Sequence, residues 1–278
     1  MNHTTGSFCG AGGLELFYQA WLPEDGPATA SVGIVHGMGD HSGRFERLVG
    51  PLTDTGIAVH GFDLRGFGRS PGRKGHIVSW NQYREDVRAF VQMMMAQTSS
   101  IPLFLLGYSL GAGIVLDYVM RDPTGLRGAI FIGAPLEPAG VASNEQITLA
   151  RALSRIWPTF SIGMHNDIDG VSRDPDVLAA LITDPLHHNR VTARWGTESI
   201  AATDWVRERA LEIRLPVLFL HGRDDPFNLA SGTESFFEQI AYVDKTLKVY
   251  PGSRHEIHND LDHAQVAEDI TAWVKERA

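Results

Sequence analysis

Residues 105–119 read LLGYSLGAGIVLDYV: an apolar run ends on Gly107, Ser109 follows, and a second apolar run begins after Gly111. The charge-free run from Thr98 to Leu116 approaches the length of a bilayer span. Pro102, Gly107, Ser109, Gly111 and Gly113 interrupt it, however, and Asp117 ends it, which disfavours a membrane helix. A short buried strand, a tight turn and a buried helix fit the length and the glycine punctuation. Ser109 then occupies a G-x-S-x-G turn, in which a strained backbone lifts a hydroxyl above a sheet and the glycines avoid collision between strand and helix. The Leu110 amide, at the positive end of that helix, can face a developing oxyanion. Alone, the pentapeptide fits equally well a turn that merely closes a strand onto a helix.

Working outward, the same alternation recurs. Strand-like runs are ELFYQAWL (15–22), SVGIVHG (31–37), IAVHGFD (57–63), PLFLLG (102–107), GAIFIGAP (128–135), PVLFLHG (216–222) and TLKVY (246–250), and a short partner strand near GSFCGAGG (6–13) makes eight. The first two read as an antiparallel hairpin; helix-length segments separate most of the others, as crossovers between parallel strands require. The expected fold is therefore α/β, a mostly parallel, doubly wound eight-stranded sheet flanked by helices. Its site should lie beyond the C-terminal strand ends. The long interval between GAIFIGAP and PVLFLHG exceeds one crossover, so residues 1–135 and 212–278 are expected to form the core and 136–211 an inserted helical cap.

A serine nucleophile needs an imidazole and an acid to orient it, in the chain order Ser, Asp or Glu, His for such a sheet. After PVLFLHG come Asp224 and Asp225; after TLKVY come His255 and His258, with His263 on the expected last helix. His255 is nearest its strand end.

Composition narrows the partners. Over 278 residues the net charge is −9, which gives no footprint for nucleic acid and repels anionic surfaces at long range. The single Cys9 cannot form an internal disulfide. The opening MNHTTGSFCGAGG lacks a basic start and an apolar core, so a cytoplasmic location is expected. Oligomeric state is not legible.

These stretches together resemble the α/β-hydrolases of the monoacylglycerol lipase and lysophospholipase group, a serine aminopeptidase S33-like family. The resemblance rests on HGMGDHSGRF (36–45), DLRGFGRSPG (63–72), GYSLGA (107–112), GRDD (222–225) and HEIHND (255–260). It implies Ser109 as nucleophile, Asp225 rather than Asp224 as acid, His255 as base, and the amides of Met38 and Leu110 as the oxyanion hole. It further implies a carboxylic ester hydrolase acting on single-acyl-chain lipids, foremost monoacylglycerols, without metal or organic cofactor. Lysophospholipids or general carboxylic esters are alternative substrates. A cofactor-free haloperoxidase and a non-catalytic ligand-binding hydrolase fold are further alternatives. The chain departs from the family pattern at Asp40 (Glu), Phe45 (Tyr), Phe67 (His) and Ala112 (Gly), which touches loop bracing more than chemistry.

Several other features read as structural. HNDIDG (165–170) lacks the ligands of a calcium loop at its first and twelfth positions, GFGRSPG (66–72) lacks the third glycine of a dinucleotide fingerprint, and His187 and His188 read as polar cap residues. In the cap, Ile147, Leu149, Ala150, Leu153, Ile156, Trp157 and Phe160 recur at helical spacing. That stripe packs on the sheet domain, or part of it lines an acyl channel or touches lipid aggregates or membrane transiently, and both can hold at once.

Overall fold

The computed structural model describes residues 1–98, 101–140, 144–164 and 167–278. Its elements, in chain order, are β1 (Asn2–Cys9), β2 (Glu15–Leu22), β3 (Ala30–Val35), α1 (Glu46–Asp54), β4 (Ile57–Phe62), α2 (Asn81–Gln97), β5 (Leu103–Tyr108), α3 (Leu110–Arg121) and β6 (Gly128–Ile132). Then follow α4 (Asn144–Ile156), β7 (Ser161–Gly163), α5 (Pro175–Thr183), β8 (Arg190–Thr192), α6 (Ala193–Arg207), β9 (Val217–Gly222), α7 (Ala230–Gln239), β10 (Lys245–Tyr250) and α8 (His263–Lys275). Eight strands form one sheet in the order β1-β2-β4-β3-β5-β6-β9-β10. β1 and β2 pair antiparallel, as do β2 and β4, and the remaining neighbours are parallel.

The central strands are buried throughout and mostly apolar because both sheet faces are covered. Along β5, Leu103 and Leu105 join the cluster under α2 and α3, while Phe104 and Leu106 join the one under α1 and α8. β9 alternates likewise, with Phe219 on the first face and Leu218 and Leu220 on the second. This period of two fixes the register, since a one-residue slip would exchange every side chain between the two cores.

One element differs from the sequence-based expectation, and one goes beyond it. β1 starts at Asn2 and stops at Cys9, ahead of the glycines expected to belong to it. Gly12 and Gly13 take positive φ in the turn to β2. Phe8 is the one fully buried side chain of β1, so this edge strand carries too little apolar alternation to be read directly, as polar edges commonly do. The segment between β6 and β9, expected to be mostly helical, holds α4, α5 and α6 and in addition an antiparallel ribbon of β7 and β8. Among the described residues no helix is long and apolar enough to cross a membrane.

Candidate active site

The strand-to-helix turn after β5 is built on a strained residue. Ser109 has φ 52° and ψ −115°, and among the described residues it is the sole non-glycine with positive φ. Such a conformation costs on the order of 1–3 kcal/mol and persists only when its surroundings fix it. Here the Ser109 amide donates to Ile132 O on β6 at 2.9 Å, and Ser109 O accepts from Gly113 N at 3.2 Å. A Cβ at Gly111 would lie 2.0 Å from Val35 O, so only glycine lets α3 start this close to β3. Ala112, where the family pattern has glycine, is fully buried without disturbing that approach.

Ser109 Oγ lies 2.9 Å from His255 Nε2, and His255 Nδ1 lies 2.7 Å from Asp225 Oδ2. A carboxylate only accepts, so Nδ1 carries the proton and Nε2 is left to accept from the serine. Asp225 is almost wholly buried. Its Oδ1 takes the amides of Phe227 at 2.9 Å and Asn228 at 3.0 Å. Burial alone would raise its pKa, but the charge of His255 and the donors from His221 and His255 outweigh it and hold the carboxyl far below its usual range. Asp224 is exposed; the structure brings Asp225, not its neighbour, to the imidazole. The loop carrying His255 reaches this point because Gly222 ends β9 without a side chain, where a Cβ would meet Arg254 O at 2.1 Å.

The remaining sequence candidates fall around this chain. Met38, on the loop after β3, and Leu110, at the start of α3, line the same cavity as Ser109. His36 braces the Met38 loop: Nδ1 donates to Gly37 O at 2.7 Å and Nε2 accepts from Leu64 N at 2.9 Å. Burial pushes that imidazole down to about 4, which keeps it neutral. His258 does not join the chain of hydrogen bonds; it is buried, stacked on Phe45 at 4.8 Å and edge-on to Tyr108 at 4.7 Å. Phe45 therefore uses its ring where the family pattern has a hydroxyl. Phe67 stacks on His188 at 4.8 Å, so a histidine of the 136–211 segment packs on the residue that replaces the family's own. His263 opens α8, with Nδ1 2.9 Å from Asp260 O.

Four residues that matter here were not singled out for the site from sequence. Glu256 accepts from Arg44 at 2.9 Å, and Arg44 Nε forms an ion pair with Asp40 at 2.9 Å. Burial pushes the Asp40 carboxyl up to about 8 against the pull of Arg44. Glu256, equally buried, is held below its usual range by the same guanidinium. The charge of the pair thus resides on Glu256. His187 lines the cavity beside the Met38 loop. His221 reaches Asp225 from behind. The only sequence signals for these were adjacency to His255 and to the β9 strand end.

The cavity that opens over Ser109 measures about 490 Å³. Its lining includes the polar Asp40, Glu256 and His187 and the apolar Leu116, Leu136, Trp195, Val206 and Phe227. α6 supplies much of the wall, through Trp195, Ser199, Thr203 and Val206. The stripe expected to line a channel or to pack on the sheet does neither. No residue from Ile147 to Phe160 lines the cavity, and α4 lies outside α6, joined to it by Ser154 Oγ to Thr197 Oγ1 at 2.9 Å. α4 ends at Ile156, so Trp157 and Phe160 lie beyond it; Ser154 is the side chain buried against α6, while Leu149, Ile156 and Trp157 of the stripe are exposed. Of the HNDIDG stretch, His165 and Asn166 lie outside the described residues.

Comparison with known proteins agrees with this architecture. The family model described as serine aminopeptidase, S33, matches residues 26–262. A monoacylglycerol lipase of Mycolicibacterium smegmatis is 32% identical over 270 residues, covering 96% of this chain and 95% of its own. A monoacylglycerol lipase structure from Paleococcus ferrophilus superposes with a TM-score of 0.83 at 29% identity and covers all of both chains. A soluble variant of the Saccharomyces cerevisiae monoglyceride lipase, in complex with a substrate analogue, gives 0.87 at 26% identity, covering 96% of this chain and 93% of its own. With an S33 model spanning most of its length on a mostly parallel eight-stranded sheet, this chain belongs to the serine aminopeptidase S33 family of α/β-hydrolases.

Proposed function

We propose that this protein is a carboxylic ester hydrolase acting on monoacylglycerols, with Ser109 as nucleophile, His255 as general base and acid, and Asp225 as the group that orients His255. The observation that carries the reading is the hydrogen-bonded chain Ser109–His255–Asp225, whose Ser109 and His255 line a mostly apolar cavity that also presents Asp40, His187 and Glu256. A single acyl chain fits the apolar lining and a small polyol the polar side chains. The names of the similar lipases support the same substrate class.

In the first half-reaction Ser109 Oγ attacks the ester carbonyl while His255 Nε2 takes its proton. The tetrahedral oxyanion is held by the backbone N–H groups of Met38 and Leu110, which donate to no protein acceptor among the described residues. The imidazolium, stabilised by the ionised Asp225, returns its proton to the leaving alkoxide oxygen, freeing glycerol. In the second half-reaction water, deprotonated by His255, attacks the acyl-serine, and the fatty acid leaves as the proton passes back to Ser109. Side chains and water handle every bond and proton in the sequence.

The 136–211 segment acts as a cap over the site. Leu149, Ile156, Trp157 and Ile162 are exposed on its outside and form the surface for transient contact with lipid aggregates or membrane. The test is a comparison of monoacylglycerol, lysophospholipid and short-chain aryl ester turnover by the wild-type protein and Ser109→Ala. The reading expects monoacylglycerol to be preferred and all three activities to vanish in the variant; lysophospholipid preference would replace the substrate assignment.

A further inference from the structure

Asp225 is contacted by two imidazoles. His255 Nδ1 lies 2.7 Å from Oδ2 on the cavity side, and His221 Nε2 lies 3.1 Å from the same oxygen on the side of the sheet. His221 is wholly buried at the end of β9. Its Nε2 is also 2.8 Å from Asn228 O. Both partners of that nitrogen are acceptors, so Nε2 carries a proton and donates in a fork to the carboxylate and the carbonyl. Nδ1 is 2.9 Å from the hydroxyl of Thr233 on α7, which fixes the ring plane from its far side.

We propose that His221 is a positioning residue for the hydrolysis, holding Asp225 Oδ2 in line with His255; the proposal rests on the triad reading given above. The carboxylate receives donors from Phe227, Asn228, His255 and His221, two on each oxygen. With all four present it cannot rotate about its Cβ–Cγ bond without breaking hydrogen bonds on both oxygens. Three of the four come from one short stretch of chain, because His221 also anchors the turn through Asn228 O. His221 is therefore the link between the rigid end of β9 and the acid two residues beyond Arg223. It also withdraws charge from the oxygen that faces His255. The ionisable groups around these residues are Asp225, His255 and Glu234 near His221, and Tyr108, Glu256 and His258 near His255.

Three variants test this. His221→Leu removes the donor at similar bulk. His221→Gln keeps an N–H near the position of Nε2, and Thr233→Val releases the far side of the ring. Hydrogen-bond partners that orient metal-bound side chains are worth on the order of 10- to 100-fold in activity; on the same scale for the partner of Asp225, His221→Leu should lower kcat by that factor with KM within about twofold. With less charge withdrawn from Oδ2, the imidazolium of His255 is better stabilised, and the acidic limb of the kcat/KM profile should move to higher pH. His221→Gln should restore most of kcat and return the limb, and Thr233→Val should show a smaller shift of the same sign. The limb positions in the Gln and Val variants decide the matter if His221→Leu does not fold. An unmoved acidic limb in all soluble variants, whatever the change in melting temperature, would make His221 merely structural and overturn the proposal. Ser109→Ala run alongside separates the two levels: if it remains active, the triad reading itself falls, and this proposal with it.

Discussion

Arg44 joins Glu256, the immediate neighbour of His255, at 2.9 Å across 212 residues of chain, and so ties the Met38 loop to the loop that carries the imidazole. Asp40 lies 2.9 Å from Nε of the same guanidinium. Arg44→Met leaves the buried Glu256 carboxylate without its counter-ion and the buried Asp40 carboxyl without its partner. Removing one member of a buried charge pair costs about 3–5 kcal/mol, and a loss of that size is expected in chemical denaturation. Adding Glu256→Gln to Arg44→Met should recover much of it, and a double variant no more stable than the single one would show that the pair is not coupled.

His60, at the middle of β4 opposite Ala20 and Gly33, is buried with both ring nitrogens unpartnered. Burial pushes it down from 6.5 to about 4. Between those values the unfolded chain binds a proton that the folded chain does not. Its contribution is therefore intact above about pH 6.5 and is lost as pH falls through 6.5 toward 4. His36 and His258 are lowered to about 4 as well, so stability should decline in the same acid window. His60→Leu removes one such group and an unsatisfied buried polar ring, and should raise Tm by roughly 2–4 °C at pH 8 and by more at pH 5. Thermal melts at the two pH values check this; an equal gain at both would remove His60 from the acid response.

Why were some parts of the site legible in the sequence and others not? Ser109, Asp225 and His255 each follow an apolar strand and sit in a loop with turn residues, so strand order and loop position bring them into register before any coordinate is known. The sheet was legible for the same reason, since its inner strands bury both faces. Glu256 and His221 were not, because their roles depend on contacts made across the chain, with Arg44 in one case and Asp225 and Thr233 in the other. The stripe from Ile147 to Phe160 shows the limit most plainly. Helical period reveals an apolar stripe but not what it meets: Leu149, Ile156 and Trp157 are exposed, and α6, which Ser154 joins to α4, lines the cavity instead.

Acyl selectivity should follow α6 rather than α4. Thr203 lines the cavity, and Thr203→Phe narrows it there. Each methylene kept out of an apolar wall loses about 0.8 kcal/mol, close to a fourfold change in kcat/KM. Long-chain esters should therefore lose rate progressively while acetate and butyrate esters keep theirs. A chain-length series measures this, and equal losses at all lengths would place the acyl chain elsewhere.

Trp157→Ala provides the complementary case, because Trp157 is 57% exposed and absent from the cavity wall. It should leave turnover of dissolved short esters unchanged and reduce turnover of monoacylglycerol presented in vesicles. Parallel loss on both substrates would argue against a role at the lipid surface.

The central claim, that Ser109 is the nucleophile, is tested most directly by treating the protein with a fluorophosphonate and mapping the adduct by mass spectrometry of its peptides. The account predicts one stoichiometric adduct, on the peptide that carries Ser109, with hydrolysis lost in step with labelling and no adduct in Ser109→Ala. Labelling at a different residue, or full hydrolysis by a Ser109→Ala protein that cannot be labelled, would contradict it.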